Sequence, residues 1–141
     1  MEPMPLSPDF ADFLEIMNQR KVRYMVVGGW ALSLHGWPRL TKDLDVWIAV
    51  DDANALRVRK ALAEFGAPGD LAPDFFTEEE KNVFFMGRPP FKIDVISAVD
   101  GVTFEDCYDR SVEVEHCGVA MRLIGLDDFR INKLESGRLK D

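Results

Sequence analysis

Acids set inside apolar, strand-forming runs constrain this chain more than any other feature. Asp94 stands within Phe91-Lys92-Ile93-Asp94-Val95-Ile96, and Asp43 and Asp45 bracket the start of Leu44-Asp45-Val46-Trp47-Ile48. Side chains alternate along a strand, so Asp43 and Asp45 share a face with Cα atoms ~7 Å apart, while Leu44, Val46 and Ile48 point the other way. Asp94 faces away from Ile93 and Val95 in the same manner. Adjacent carboxylates repel and raise each other's pKa, and they rest comfortably beside a cation or in screening solvent. Burying an acid in such a run is costly unless it is paired or liganded. Two outcomes stay open for each strand: a water-facing sheet edge, or a face on which carboxylates meet a cation. Hard oxygen ligands of this kind suit Mg²⁺. If the two strands are neighbours, three carboxylates converge, and three can hold two divalent ions ~3.5–4 Å apart, an arrangement for in-line phosphoryl or nucleotidyl transfer.

The rest of the chain predicts elements that could frame such a face. Ser7-Pro8-Asp9 reads as a helix start, and Phe10, Phe13, Leu14 and Met17 form one apolar face at helical spacing. Tyr24-Met25-Val26-Val27 reads as a buried strand ended by Gly28-Gly29. A short helix follows from Trp30 to His35, closed by Gly36 and stopped by Pro38, and then a strand over Lys42 to Val50. Asp51 and Asp52 cap a helix with Ala55, Val58, Leu62 and Phe65 on one face. Ala67 to Asn82 reads as a loop with at most one helical turn. Val83–Met86 and Phe91–Ile96 pair as a hairpin, Phe104–Tyr108 makes a short helix, Ser111–Glu115 and Val119–Ile124 make a second hairpin around Cys117-Gly118, and a last helix runs from Asp127 through Leu134. This order predicts an α+β (mixed α/β) fold: one mixed sheet with helices packed on it, a single domain over residues 1–141.

Composition narrows the function classes. At 47% hydrophobic and 30% charged residues the chain is globular rather than disordered. A net charge of −8 argues against coating nucleic acid by bulk electrostatics and fits small anionic substrates held with metal ions, or a basic partner. Cys107 and Cys117 are too few for a disulfide framework, so free thiols in a reducing cytoplasm are expected. Met1 to Pro5 has no secretory pattern, and no apolar run approaches a transmembrane length. His35 reads as a cap or core residue, and Trp30, Trp37 and Trp47 as core or pocket wall. Ser33 lacks a nucleophile elbow.

A Gly pair between a buried strand and a helix lets the backbone turn sharply and approach a ligand, and the amides that open the helix can face phosphate. Read in order, the motifs are Val26-Val27-Gly28-Gly29-Trp30-Ala31, then Arg39-Leu40-Thr41-Lys42-Asp43-Leu44-Asp45-Val46, then Lys92-Ile93-Asp94-Val95-Ile96, with a late Lys133-Leu134-Glu135-Ser136-Gly137-Arg138-Leu139-Lys140-Asp141. This set resembles the nucleotidyltransferase superfamily typified by DNA polymerase β and kanamycin nucleotidyltransferase, and in particular small bacterial proteins of the abortive-infection and toxin–antitoxin type.

The resemblance implies Asp43, Asp45 and Asp94 as ligands of Mg²⁺ or Mn²⁺, with Asp94 also the base for the acceptor hydroxyl. It implies Gly28 and Gly29 as the triphosphate cradle, and Arg39, Thr41, Lys42 and Lys133 as phosphate contacts. On residue chemistry alone those last four also read as loop charges, a β-former and a helix lysine. The implied activity moves a nucleoside monophosphate from an NTP to a hydroxyl on an RNA 3′ end, a protein or a small molecule. The alternative is an antitoxin-like or degenerate nucleotide-binding protein acting through a toxin partner or as a homo-oligomer, with no membrane role. Two departures stand out. Gly29 replaces the Ser common in the superfamily. Relatives also usually carry further helices past the point matching Asp141, which leaves acceptor recognition open.

Overall fold

A computed structural model describes residues 5–37, 43–67, 75–76, 81–88 and 91–137. The first helix, α1 (Pro8–Gln19), carries Pro at its start and buries Phe10, Phe13, Leu14 and Met17, the face its spacing predicts. Ser7 stands at the N-cap position but makes no side-chain cap bond. Strand β1 (Tyr24–Val27) is buried throughout and runs directly into α2 (Gly28–Leu34). The helix starts two residues before the predicted Trp30 because Gly28 adopts φ +67°, a left-handed conformation that glycine enters at little cost. Strand and helix therefore join without a loop.

Strand β2 (Leu44–Ile48) is shorter than the predicted span. It leads into α3 (Asp52–Phe65), which is capped by Asp51 Oδ1 accepting from Asn54 N at 2.9 Å. Buried Asn54 also donates to the carbonyls of Ala49 (2.6 Å) and Arg23 (3.1 Å), which ties the end of β2 to the start of β1. Strands β3 (Val83–Arg88) and β4 (Phe91–Ile96) form the first hairpin. Helix α4 (Phe104–Asp109) precedes β5 (Val112–His116) and β6 (Val119–Leu123). These two strands turn through Cys117 (φ 52°) and Gly118 (φ 80°), the left-handed pair of a two-residue hairpin loop. The last helix, α5 (Leu126–Glu135), is capped by Gly125 rather than opened by Asp127.

The strands form one six-stranded mixed sheet in the order β3-β4-β2-β1-β6-β5. One face, with Leu44, Val46, Ile48, Ile93 and Val95, packs against α1 and α3. The opposite face packs Met25, Val27 and Trp47 against Ala31, Cys107 and Phe129 from α2, α4 and α5. Burying each large apolar side chain in these layers contributes roughly 1.5–3 kcal/mol. Trp30 and Trp47 lie in the core as predicted. Trp37 does not: the turn closing α2, with Trp37 N donating to Leu32 O at 3.2 Å, carries its indole off the sheet and leaves it half exposed. His35 holds the end of α2 through Nε2, 2.6 Å from the Ile124 carbonyl. No helix among the described residues is long and apolar enough to cross a membrane.

Both cysteines are thiols, Cys107 buried and Cys117 exposed. Burial, reinforced by the charge of Asp128, pushes the Cys107 thiol up to about 12. Thiol alkylation at neutral pH should therefore modify Cys117 alone in the native protein and both cysteines after unfolding. Rapid native labelling of Cys107 would contradict this packing.

Candidate active site

The central strands build the site by register. In the antiparallel β1–β2 pair Val27 stands opposite Asp45, and in the parallel β2–β4 pair Asp45 stands beside Asp94. In the antiparallel β3–β4 pair Asp94 stands opposite Phe85. Paired residues point to the same face, so one row crosses four strands in the order Val27, Asp45, Asp94, Phe85. The two carboxylates that sequence placed on separate strands are thus immediate neighbours. Asp43 lies one residue before β2, not within it.

Gly28 follows Val27 directly, at the lip of the row. A Cβ built on it would collide with Asp45 Oδ2 and crowd Asp45 Cγ at 3.2 Å. Position 28 therefore needs glycine twice, once for its backbone and once for the carboxylate beside it. Gly29 is the second residue of α2.

Asp94 carries the electrostatic tension of the site. Its pKa is raised, first by burial and then by the charge of Asp43; a hydrogen bond with Asp45 and the charge of Lys92 act in the opposite sense. Its Oδ1 is buried with no hydrogen-bond partner among the described residues. An unsatisfied carboxylate oxygen beside a second carboxylate is the condition a hard cation relieves. The three aspartates fit Mg²⁺ in donor chemistry, and the orphaned oxygen has the lone pairs such a cation takes. Asp45 and Asp94 form the closed pair. No three His, Cys, Asp or Glu side chains among the described residues are drawn together into a finished cage.

The row forms the floor of a cleft of about 460 Å³ whose lining includes Gly28, Asp43, Asp45 and Asp94. Helix α5 and its C-cap residue line the cleft with Asn132, Lys133 and Ser136. That helix is fixed by Arg110, whose Nε and Nη2 donate to the buried Asp128 carboxylate at 3.0 and 2.9 Å, and by Asn132 donating to the Asp100 carbonyl at 2.9 Å. Lys133, late in the chain, thus lines the same cleft as the carboxylates, and its Nζ lies 5.6 Å from the Phe129 ring centroid. Lys81 joins the lining and pairs with Asp100 at 3.5 Å. Arg39, Thr41 and Lys42 lie outside the described residues.

Lys81, Phe85, Asn132 and Ser136 were not singled out by sequence. Ser136 had a usable signal, since it lies three residues after Lys133, the spacing that brings two side chains to one helix face. A larger hollow of about 780 Å³ lies by α1, the end of α3 and β3; among the described residues its lining includes Asp9, Asp12, Glu15, Glu64 and Phe85 but no cation and no paired strand carboxylates. The cleft with the paired carboxylates is the better seat for chemistry.

A six-stranded mixed sheet with aspartates on adjacent central strands beside a glycine-opened helix has the nucleotidyltransferase fold. The same fold occurs in a solved structure from Thermotoga maritima described as a "putative nucleotidyltransferase", with a TM-score of 0.66 and 18% identity over 91% of this chain and 82% of that one. Residues 9–141 match the profile of a family described as nucleotidyltransferase of unknown function (DUF6036), and the chain belongs to that family. No curated protein matches the sequence.

Proposed function

We propose that the protein is a Mg²⁺-dependent nucleotidyltransferase that moves a nucleoside monophosphate from an NTP to a hydroxyl acceptor and releases pyrophosphate. The observation that carries this reading is the register that sets Asp45 beside Asp94, with an orphaned Asp94 oxygen and the bare backbone of Gly28 at the same spot. Asp43, Asp45 and Asp94 would hold the metal. Bound Mg²⁺ would neutralise triphosphate charge and acidify the attacking hydroxyl.

The chain's own groups supply the remainder. The triphosphate lies at the Gly28–Gly29 end, where the glycines themselves add no side chain and the Asp45 carboxylate stands alongside. Lys133, across the cleft, offsets phosphate charge. Asp94, with its raised pKa, takes the proton of the acceptor hydroxyl. The acceptor oxygen bonds to the α-phosphorus as the bond from that phosphorus to the bridging oxygen breaks, and pyrophosphate carries away the electron pair.

Incubation with Mg²⁺ and each labelled NTP, with RNA, protein and small-molecule acceptors, tests this reading. Asp43→Asn and Asp45→Asn should each weaken metal-dependent NTP binding by at least ~10-fold, the scale of losing one charged ligand. Unchanged NTP affinity in both variants would sink the assignment.

A further inference from the structure

The row of paired residues does not stop at the carboxylates. Its last member, Phe85 on edge strand β3, stands opposite Asp94, lines both this cleft and the larger hollow beside α1, and is 64% exposed. Its neighbours in sequence behave otherwise: Met86 is buried in the core, and Phe84 packs edge-on against Phe75, with ring centroids 6.2 Å apart. A phenyl ring left mostly open to water beside an acidic cleft contributes little to the fold, since burial is what makes an aromatic side chain stabilising. Lys92 lies on the same side of the hairpin. It is exposed, two residues from Asp94 on β4, opposite Gly87, and close enough for its charge to act on the Asp94 carboxyl.

We infer that Phe85 is a stacking platform for the acceptor, and that the acceptor is the terminal nucleotide of a single-stranded polynucleotide, its base on the Phe85 ring and its adjoining phosphate near Lys92. This rests on the proposed transfer reaction in one respect, the direction of attack. In-line displacement puts the nucleophile and the leaving group on opposite sides of the phosphorus. With the leaving pyrophosphate at the Gly28 end of the row, the attacking hydroxyl enters past Asp94, and the body of the acceptor lies over β3. Adjacent strands are ≈ 4.8 Å apart, so the ring sits about one strand spacing beyond the base that receives the proton. That spacing suits a ribose between the hydroxyl and a stacked nucleobase. An aromatic face paired with a cation is the usual means of gripping single strands without reading their sequence.

Binding and transfer separate this inference from the reaction it rests on. Fluorescence anisotropy with a short labelled single-stranded RNA, in parallel with a DNA of the same sequence, needs no catalysis. Phe85→Ala should weaken RNA binding roughly 5- to 100-fold, the range for losing one stacked base. Phe85→Trp should restore it, and the melting temperature should hold in both variants because the ring is exposed. The same RNA with an abasic 3′-terminal residue should bind wild type as weakly as Phe85→Ala binds the intact strand. Combining the two changes should then add little, which locates the contact at the terminal base. If transfer is detected, Phe85→Ala should raise KM for the RNA and leave KM for the NTP within about 2-fold.

Equal binding of RNA by wild type and Phe85→Ala would overturn the platform, even if transfer to some other acceptor is found. Preference for a tyrosine-bearing peptide over both nucleic acids would overturn the polynucleotide assignment. Phe85-dependent RNA binding without transfer to any acceptor would uphold the platform and count against the reaction instead.

Discussion

Replacing Gly28 with alanine is expected to reduce nucleotidyl transfer by more than ~100-fold while the chain still folds. A left-handed backbone costs a non-glycine residue roughly 1–2 kcal/mol, which lowers the melting temperature by several degrees without unfolding a domain of this size. The larger effect is local. The new methyl group overlaps Asp45 Oδ2, so the carboxylate must swing out of the row it shares with Asp94. Gly118→Ala is the matched control. It imposes the same kind of strain at φ 80°, with nothing within 4 Å of the added Cβ. It should be destabilised to a similar degree and remain active. Comparable activity in the two variants would show that Asp45 does not need its place beside Asp94.

Asp94→Asn should move activity and stability in opposite directions. Removing the proposed proton acceptor and metal ligand should lower transfer by at least ~10³-fold. In the absence of Mg²⁺ the same change should raise the melting temperature by about 2–4 °C at neutral pH, because it removes a half-buried charge held beside two other acids.

The pH dependence follows from the direction of the Asp94 shift. Burial, then Asp43, raises its pKa, so the folded chain keeps this proton to a higher pH than the unfolded chain does. This group's contribution to stability is greatest below the ordinary aspartate value near ~4, and it is lost as pH rises through the raised value. Thermal melts of wild type and Asp94→Asn without metal should converge at low pH and separate as pH rises. Parallel curves across that range would remove Asp94 as the strained group.

What could be read from sequence was what a single residue's surroundings reveal. Ile93 and Val95 on either side of Asp94, like Leu44 and Val46 on either side of Asp45, made it plain that each acid leaves the core on one face of a strand. The helices bearing Phe13 and Val58 followed from spacing, and the mixed sheet from the order of elements. The partner of each strand was not legible in the same way. Pairing β2 parallel to β4, in the register that sets Asp45 against Asp94, depends on how both bury their apolar sides on α1 and α3, and no local pattern encodes that.

Phe85 escaped notice for a related reason. In Val83-Phe84-Phe85-Met86 every residue looks equally apolar, and only the register shows that alternate members face the cleft. Trp37 erred the other way, because an indole suggests a core residue while the turn after α2 holds it outside. Gly28 was legible as a turn, but its second duty toward Asp45 could be seen only once β1 and β2 were side by side.

The parallel pairing of β2 with β4 has a consequence for the chain as a polymer. Helix α3 and strand β3 lie between those two strands in sequence, so Asp45 and Asp94 are joined by one of the long closed loops of the fold. A ligand held by both carboxylates is a reversible cross-link across that loop, formed by charge rather than by a covalent bond. It resists opening of the sheet at its centre only as long as it is occupied. The segment from α3 to β4 should thus exchange its amide protons more slowly when metal and nucleotide are bound, so that occupancy of the site becomes a clasp on half the sheet.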